Sequence, residues 1–356
     1  MADGSDAIPP HRQRFPRNSW YIAAAGVEVG EAPLARTING EAMVLFRTGE
    51  GVAALRDACP HKGYPLSEGR VIGDAIRCGY HGIQFGRSGR CVHIPSQSAL
   101  PSAMQVRAYP VREKGLFIWV WTGDPALADA AAIPEFGFED RPDFERQLTF
   151  SMEVKSNAQF LLENVLDHTH FSYLHAGGFV NDPDEGAGGG GFARGPLPVE
   201  RGGRTICVWR AFEDMLPTES MTVIFGVPGG RPLKRRLETR AWPSSAYLVT
   251  WDRFWDDRGE LVSEAIGSGC VTPMDEDHCL HIAAWSSSYA HHPDLKQSIH
   301  DIILEDVVAV QKVHRHFCHN GDSAEVTLNA DKASILSRRM VADAANRELS
   351  RALENG

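Results

Sequence analysis

Two cysteine–histidine pairs stand out by their spacing. Cys59-Pro60-His61 and Cys78-Gly79-Tyr80-His81 read C-x-H, sixteen intervening residues, then C-x-x-H. Two thiolates and two imidazoles serve either of two chemistries. One is a tetrahedral zinc site; the other is a [2Fe–2S] centre of the Rieske kind, with both cysteines on one iron and both histidines on the other. Structural zinc usually pairs cysteine with cysteine and histidine with histidine, so the mixed pairs favour the cluster. A second concentration of histidines, NVLDHTHFSYLH over residues 164–175, suits another metal. Two histidines and a distant carboxylate would form the facial triad of a non-haem Fe(II) centre, which leaves positions open for dioxygen and substrate. Asn164, Asp167 and His170 recur at i, i+3 and are neighbours on a helix surface. His170 and His175 are separated by a rise of about 7.5 Å on an ideal helix, so both reach one metal only if the helix distorts or ends between them. Periodicity alone does not choose between His168 and His170.

The third ligand must come from elsewhere, and HDIILEDVVAVQKV over residues 300–313 offers Asp301, Glu305 and Asp306. Glu305, at i+4 from Asp301, fits a solvated face. Asp306 lies beside the apolar stripe of Ile302, Ile303, Val307 and Val310, where an acid needs a partner and a metal is one.

These residues must be held by two different architectures. Residues 19–122 carry short β-rich runs between turn residues: Trp20–Ala25, Ala42–Arg47, Gly51–Asp57, Ala75–Cys78, Ile83–Phe85, Gln105–Val111 and Leu116–Trp121. Such punctuation predicts a small sandwich or barrel. Residues 1–18 read as a polar arm, and 123–147 as a connector rich in Ala, Pro and Asp with a turn or two of helix. Residues 148–356 make the second domain. A helix is expected over Asn157–His175, then strands at Thr205–Phe212, Met221–Val227, Arg236–Trp242, Ala246–Trp251, Leu261–Val271 and Cys279–Ser286. Pro293–Cys318 has apolar residues at helical spacing, and a second helix follows Asn329. The fold class is α+β: an all-β domain, then an antiparallel sheet with long helices on one face.

Composition narrows the function. With 356 residues, 43% hydrophobic and 23% charged, the chain is an ordinary globular protein of about two domains. Lys+Arg 36 against Asp+Glu 46 leaves −10, which disfavours binding to nucleic acid or to an anionic membrane surface. The longest apolar runs, Trp20–Val27 and Leu116–Trp121, fall far short of the roughly 18 residues of a membrane span. The first twenty residues lack the apolar core of a secretory signal, and seven cysteines do not suggest a disulfide framework. A cytoplasmic enzyme with metal-bound cysteines is the expectation.

The residues around the ligands carry a resemblance. HKGYPLSEG follows the first pair; CGYHGIQF, SGRCVHIPSQ, VRAYPV and FIWVWTGDPALAD surround and follow the second. Residues 59–122 closely resemble the Rieske domain of ring-hydroxylating and O-demethylating oxygenases, the family of the vanillate and dicamba O-demethylase oxygenase components. Lys62 departs from it, since many members have Arg there; charge is kept and the planar fork lost. The resemblance implies a [2Fe–2S] cluster on Cys59, His61, Cys78 and His81, and a helix-grip catalytic domain with mononuclear Fe(II) and dioxygen as co-substrate. The family pattern N-x-x-D-x-x-H-x₄-H lands on Asn164, Asp167, His170 and His175. By that analogy His170 and His175 bind iron, Asp167 bridges electrons with Asn164 beside it, and the family's E-D pair places the third ligand at Asp306. His168 is left over, as a helix-surface or trimer-interface residue. Cys91 and His93 are assigned no iron and are expected to pack under the second ligand loop. A head-to-tail homotrimer is also implied, with His81 of one chain meeting Asp167 of its neighbour.

The implied activity is that of a terminal oxygenase that hydroxylates or O-demethylates an aromatic substrate, carboxylated or methoxylated. Without a flavin or nicotinamide motif, its electrons must come from a separate NAD(P)H-dependent reductase or a ferredoxin. No residue dictates demethylation over ring cis-dihydroxylation or another C–H hydroxylation; a Rieske electron carrier and a zinc-stapled binding protein are the alternatives of other classes. Candidate pocket walls are Ile224, Trp251, Trp255, Trp285 and Ile303. Candidate partners for a substrate carboxylate are Arg204, Arg210, Arg240, Arg253 and His281. The stretch from Gly49 to Ala54 matches G-x-G-x-x-A but lacks a following helix, so it reads as a hairpin turn. Gly186–Gly191, in a loop rich in Asp and Gly over residues 181–191, reads as a flexible segment that gates substrate entry, and Thr272–Asp277 as a structural loop.

Overall fold

In a computed structural model of the chain, residues 9–135, 141, 144, 146–176, 191–192, 195–320 and 325–354 are described. Two compact units form: Pro16–Pro134 with Thr272–Asp275, and Met1–Phe15 with Glu135–Val271 and Glu276–Gly356. Residues 9–15 of the polar arm thus group with the second unit, and the connector divides between the two after Pro134.

The first unit contains three small sheets. β1 (Trp20–Ala25), β11 (Phe117–Trp121) and β10 (Val111–Lys114) form one; β2 (Leu34–Ile38), β3 (Glu41–Thr48), β4 (Gly51–Arg56) and β9 (Ala108–Tyr109) form the second. The third is β5 (Arg70–Ile72), β6 (Ala75–Arg77), β7 (Gln84–Gly86) and β8 (Cys91–His93). WYIAAA and FIWVW are apolar at every position because both faces of β1 and β11 are buried. Gly49 and Glu50 turn β3 into β4, the hairpin expected there. β2, β5 and β8, which carry little apolar alternation, were not anticipated.

The second unit is a seven-stranded sheet in the order β12-β18-β17-β16-β15-β14-β13. Its strands are β12 (Arg146–Val154), β13 (Val199–Arg201), β14 (Ile206–Met215), β15 (Leu233–Trp242), β16 (Tyr247–Trp255), β17 (Leu261–Pro273) and β18 (Cys279–Ser287). Helices α1 (Ala158–Leu166), α2 (Phe171–Leu174), α3 (Glu219–Phe225), α4 (Leu295–Asn320) and α5 (Lys332–Glu354) complete the unit.

Two expectations are corrected. Met221–Val227 is not a strand but most of α3: the Thr218 side chain accepts the Met221 N–H, Met221, Ile224 and Phe225 turn inward at i, i+3, i+4, and Gly226 ends the helix at φ 61°. A Cβ at Gly226 would sit 2.5 Å from the Tyr289 ring, so glycine is required twice over. The single helix expected over Asn157–His175 breaks at Asp167, which ends α1 and caps a 3-10 turn, His168–His170, ahead of α2. A buried network ties α1 to α5: Arg338 donates to both oxygens of Glu163 at 2.5 Å, and Gln159 bridges Glu163 and Ser337 at 2.7 Å each. All of the expected gating segment but Gly191, residues 186–190, lies outside the described residues.

Candidate active site

Cys59 and Cys78 sit on the tips of two loops with the same backbone. In each, the cysteine N–H donates to the carbonyl five residues on (Tyr64, 2.9 Å; Ile83, 2.8 Å), and the N–H four residues on (Gly63, 2.8 Å; Gly82, 3.1 Å) donates back to the cysteine carbonyl. Gly63 and Gly82 turn at φ 75° and 71°, left-handed values that favour glycine. Both thiols are buried at 2% exposure against Val44, Phe46, Leu66, Ile76 and Phe85, whereas His61 and His81 are exposed, their rings 4.5 Å apart. Burial, with the Cys78 sulfur nearby, pushes the Cys59 thiol up to about 11, despite backbone N–H groups that favour the thiolate. A cation is what would make these sulfurs ionise at neutral pH. The groups of three or more metal-ligating side chains whose ligand atoms all lie within 4.8 Å of one another are two among the described residues, and the four loop ligands are not one of them. Two buried thiols and two exposed imidazoles side by side are the donor set of a two-iron cluster, thiolates on one iron and imidazoles on the other. Cys91 packs at the edge of the same core, but His93 is exposed on β8 rather than packed under the loop.

His170, His175 and Asp306 are one of the two convergent groups. His170 closes the 3-10 turn, His175 follows the last residue of α2, and Asp306 faces them from α4. Asp306 Oδ1 lies 3.3 Å from His170 Nε2 and 3.2 Å from His175 Nε2. His170 Nε2 and Asp306 Oδ1 are buried, and their contact lacks hydrogen-bond geometry. Lone pairs aimed at a common point fit a metal. Burial alone would raise the Asp306 carboxyl, but the two imidazoles outweigh it and hold the group well below the usual carboxylate range. For His175, burial would lower the imidazole, and Asp306 and Glu305 together hold it above its ordinary value.

Glu305 is not simply solvated, as its spacing suggested. Its Oε2 lies 2.7 Å from His175 Nδ1, on the side of the ring away from Asp306. A carboxylate there keeps the proton on Nδ1 and leaves Nε2 as the ligand nitrogen. The adjacent Glu-Asp pair was the available signal. Asp167 Oδ1 accepts from Thr169 N–H at 2.7 Å and Oγ1 at 2.6 Å, while Asn164 Oδ1 is buried with no hydrogen-bond partner among the described residues. His168 is corrected outright. It is fully buried, with Nε2 2.9 Å from Thr239 Oγ1, and burial lowers it to about 3. The tighter 3-10 turn points it into the sheet.

A cavity of about 180 Å³ lies between the sheet and α4 and reaches Asp306. Ile224, Trp285 and Ile303 line it, as expected, but Trp251 and Trp255 do not. Paired positions on neighbouring strands share a face, which puts Leu237 and Asp252 beside Ala265, Thr250 beside Gly267, and Leu248 beside Gly269. The Ala265, Gly267, Gly269 strip is the floor that makes room for a ligand. Among the described residues that line it none is a Lys or Arg, and of the five candidate carboxylate partners only His281 is present. Arg253 pairs with Glu264 and Arg240 with Glu238, and Arg210 donates to the Pro196 carbonyl.

The other convergent group is Asp277, His314 and Cys318. His314 Nδ1 accepts the Asn157 backbone N–H at 3.5 Å, which puts the ring proton on Nε2, 3.2 Å from Asp277. A hydrogen bond accounts for this contact without a metal.

Comparison with known proteins follows the same division. Residues 19–110 match the Rieske [2Fe-2S] domain family and residues 154–347 the vanillate O-demethylase oxygenase C-terminal domain family. The oxygenase component of dicamba O-demethylase from Stenotrophomonas maltophilia is 44% identical over 163 residues, covering 45% of this chain and 48% of that protein. The chain thus spans about half the length of that relative in the matched region. The vanillate O-demethylase oxygenase subunit of Pseudomonas sp. (strain HR199 / DSM 7063) is 27% identical over 344 residues, covering 92% of this chain and 94% of that one. Among solved structures, dicamba monooxygenase bound to 3,6-dichlorosalicylic acid superposes with a TM-score of 0.83 at 28% identity, over 94% of this chain and 98% of that one. The same enzyme with non-heme iron and dicamba gives 0.77 at 26% identity, over 95% and 99%. A Rieske [2Fe-2S] domain followed by this C-terminal domain makes the chain a member of the vanillate O-demethylase oxygenase family.

Proposed function

We propose that the protein is the terminal oxygenase of a Rieske monooxygenase system that demethylates an aromatic methyl ether. The observation that carries this reading is the apolar cavity ending at Asp306, beside the His170 and His175 nitrogens. A [2Fe–2S] cluster held by Cys59, Cys78, His61 and His81 would deliver single electrons, and Fe(II) held by His170, His175 and Asp306 would supply the dioxygen chemistry.

The chain's own residues do the rest. Glu305 fixes the His175 ring. Apolar walls from Phe150, Phe171, Ile224, Trp285, Ile299 and Ile303 exclude water and hold a ring by contact. In the net reaction one dioxygen, two electrons and two protons are consumed; hydroxylation of the methyl gives a hemiacetal, which collapses to phenol and formaldehyde, and water leaves. The electrons come from a separate reductase or ferredoxin. Asp167 is the residue through which the two cofactor sites communicate, across the subunits of a head-to-tail trimer in which each interface pairs unlike surfaces. Asn164, with its buried unbonded oxygen, supports that exchange. The cytoplasm is the compartment that suits thiol ligands, and no disulfide joins the described cysteines.

Oxygen uptake by the holoenzyme with a reductase and a panel of methoxybenzenes tests this. Formaldehyde equal to the oxygen consumed is expected; a cis-dihydrodiol would make the protein a ring dihydroxylase of the same family, and no uptake with any ring overturns the reading.

A further inference from the structure

We propose that His281 recognises the substrate as a hydrogen-bond acceptor, so that the cavity selects an uncharged single-ring aromatic bearing an O–H or N–H donor over an aromatic carboxylate. This rests on the demethylase reading above and names the substrate class for that same cavity.

Size comes first. A cavity of about 180 Å³ is only slightly larger than the roughly 150 Å³ engineered cavity that takes up benzene. One ring with small substituents matches that volume. Polarity comes next. Of the side chains facing the cavity, Asp252 commits both oxygens to Arg235, at 2.9 and 2.6 Å. Thr250 bonds Thr239 at 3.0 Å, and Trp285 Nε1 donates to Tyr289 at 3.3 Å. Ser268 alternates to the opposite face of β17 from Gly267 and Gly269. Asp306 faces the two histidines.

His281 is different. It shares its face of β18 with Ala283 and Trp285, opposite Met152, Phe150 and Leu148 of β12. Its Nδ1 lies 2.8 Å from the Cys270 carbonyl oxygen. A carbonyl only accepts, so Nδ1 carries the proton. Burial favours the uncharged ring, and in the neutral tautomer with Nδ1–H the Nε2 nitrogen is an acceptor. A phenol or aniline proton satisfies it. A carboxylate brings a second acceptor and a negative charge into a cavity with no Lys or Arg among its described lining residues.

The test measures binding of three probes of one shape to the anaerobic holoenzyme by calorimetry: 2-methoxyphenol, 1,2-dimethoxybenzene and 2-methoxybenzoate. The phenol is expected to bind about tenfold more tightly than its methylated twin, the effect of one neutral hydrogen bond, and more tightly still than the benzoate. His281→Asn places an amide N–H near the Nδ1 position, keeps the bond to Cys270 and withdraws the acceptor. It should erase the tenfold preference by weakening phenol binding towards that of the dimethoxy probe. Tighter binding of the benzoate by the unaltered enzyme overturns the proposal and needs no variant to fold. A phenol preference that survives in His281→Asn overturns it too. Formaldehyde release, assayed in parallel, separates this from the functional reading. Selective phenol binding without formaldehyde sinks the demethylase and leaves His281 in place; formaldehyde from all three probes at equal affinity does the reverse.

Discussion

Glu305 and Asp306 are consecutive in sequence and reach opposite sides of one histidine, the first at Nδ1 and the second at Nε2. Removing the outer carboxylate should therefore weaken metal binding without removing a ligand. In Glu305→Gln, iron retained at the mononuclear site during chelator dialysis is expected to fall by about 10–100-fold in affinity, with acid-labile sulfide unchanged; unchanged retention would remove Glu305 from this role. His168 supplies a second prediction, in pH. Its folded pKa of about 3 lies below the ordinary value of 6.5. Between those values the unfolded chain holds the extra proton, so acid favours unfolding, at up to ~1.4 kcal/mol per pH unit. Stability should drop as pH falls below 6.5, and His168→Gln should flatten that slope in urea titrations at pH 7 and pH 5. At this scale the paired cysteine–histidine loops and the approach of Asp306 to His170 and His175 were readable, because residue type and spacing report metal chemistry. The burial of His168 was not, since it depends on a helix ending one residue earlier.

That ending belongs to the element scale. A helical period continues through NVLDHTHFSYLH, and nothing in it announces a stop except Asp167, a good cap as well as a charge. Asparagine caps about as well as aspartate, so Asp167→Asn preserves the 3-10 turn and isolates the charge. Both metals should remain at wild-type stoichiometry while turnover falls by two orders of magnitude or more; full turnover would refute the bridge. α3 misled for a related reason. Val223, Ile224 and Phe225 favour strands locally, but the Thr218 cap and the Gly226 stop settled the segment as a helix. The long strands of the large sheet and α4 were readable because their patterns run for many residues.

At the scale of the whole molecule, the all-β unit followed by a sheet-and-helix unit could be read from the change of pattern near residue 148. The exchange of residues 9–15 could not, because grouping distant segments requires tertiary contacts. If electrons cross between chains, two inactive variants should rescue one another. Mixed assemblies of co-expressed His81→Ala and Asp306→Ala chains are expected to recover part of the oxygen uptake that each lacks alone; no recovery in verified mixed assemblies would place transfer within one chain.

The glycine floor of the cavity gives this fold an adjustable aperture. A methyl group at Gly267 would rest 3.7 Å from the Trp285 ring, ordinary contact, whereas one at Gly269 would press on the Ile282 carbonyl at 3.0 Å. One codon can therefore trim the chamber while the scaffold stays intact, and its neighbour two positions on cannot. Gly267→Ala should accordingly reject bulky ortho-substituted rings, seen as a raised KM, while anisole turns over as before.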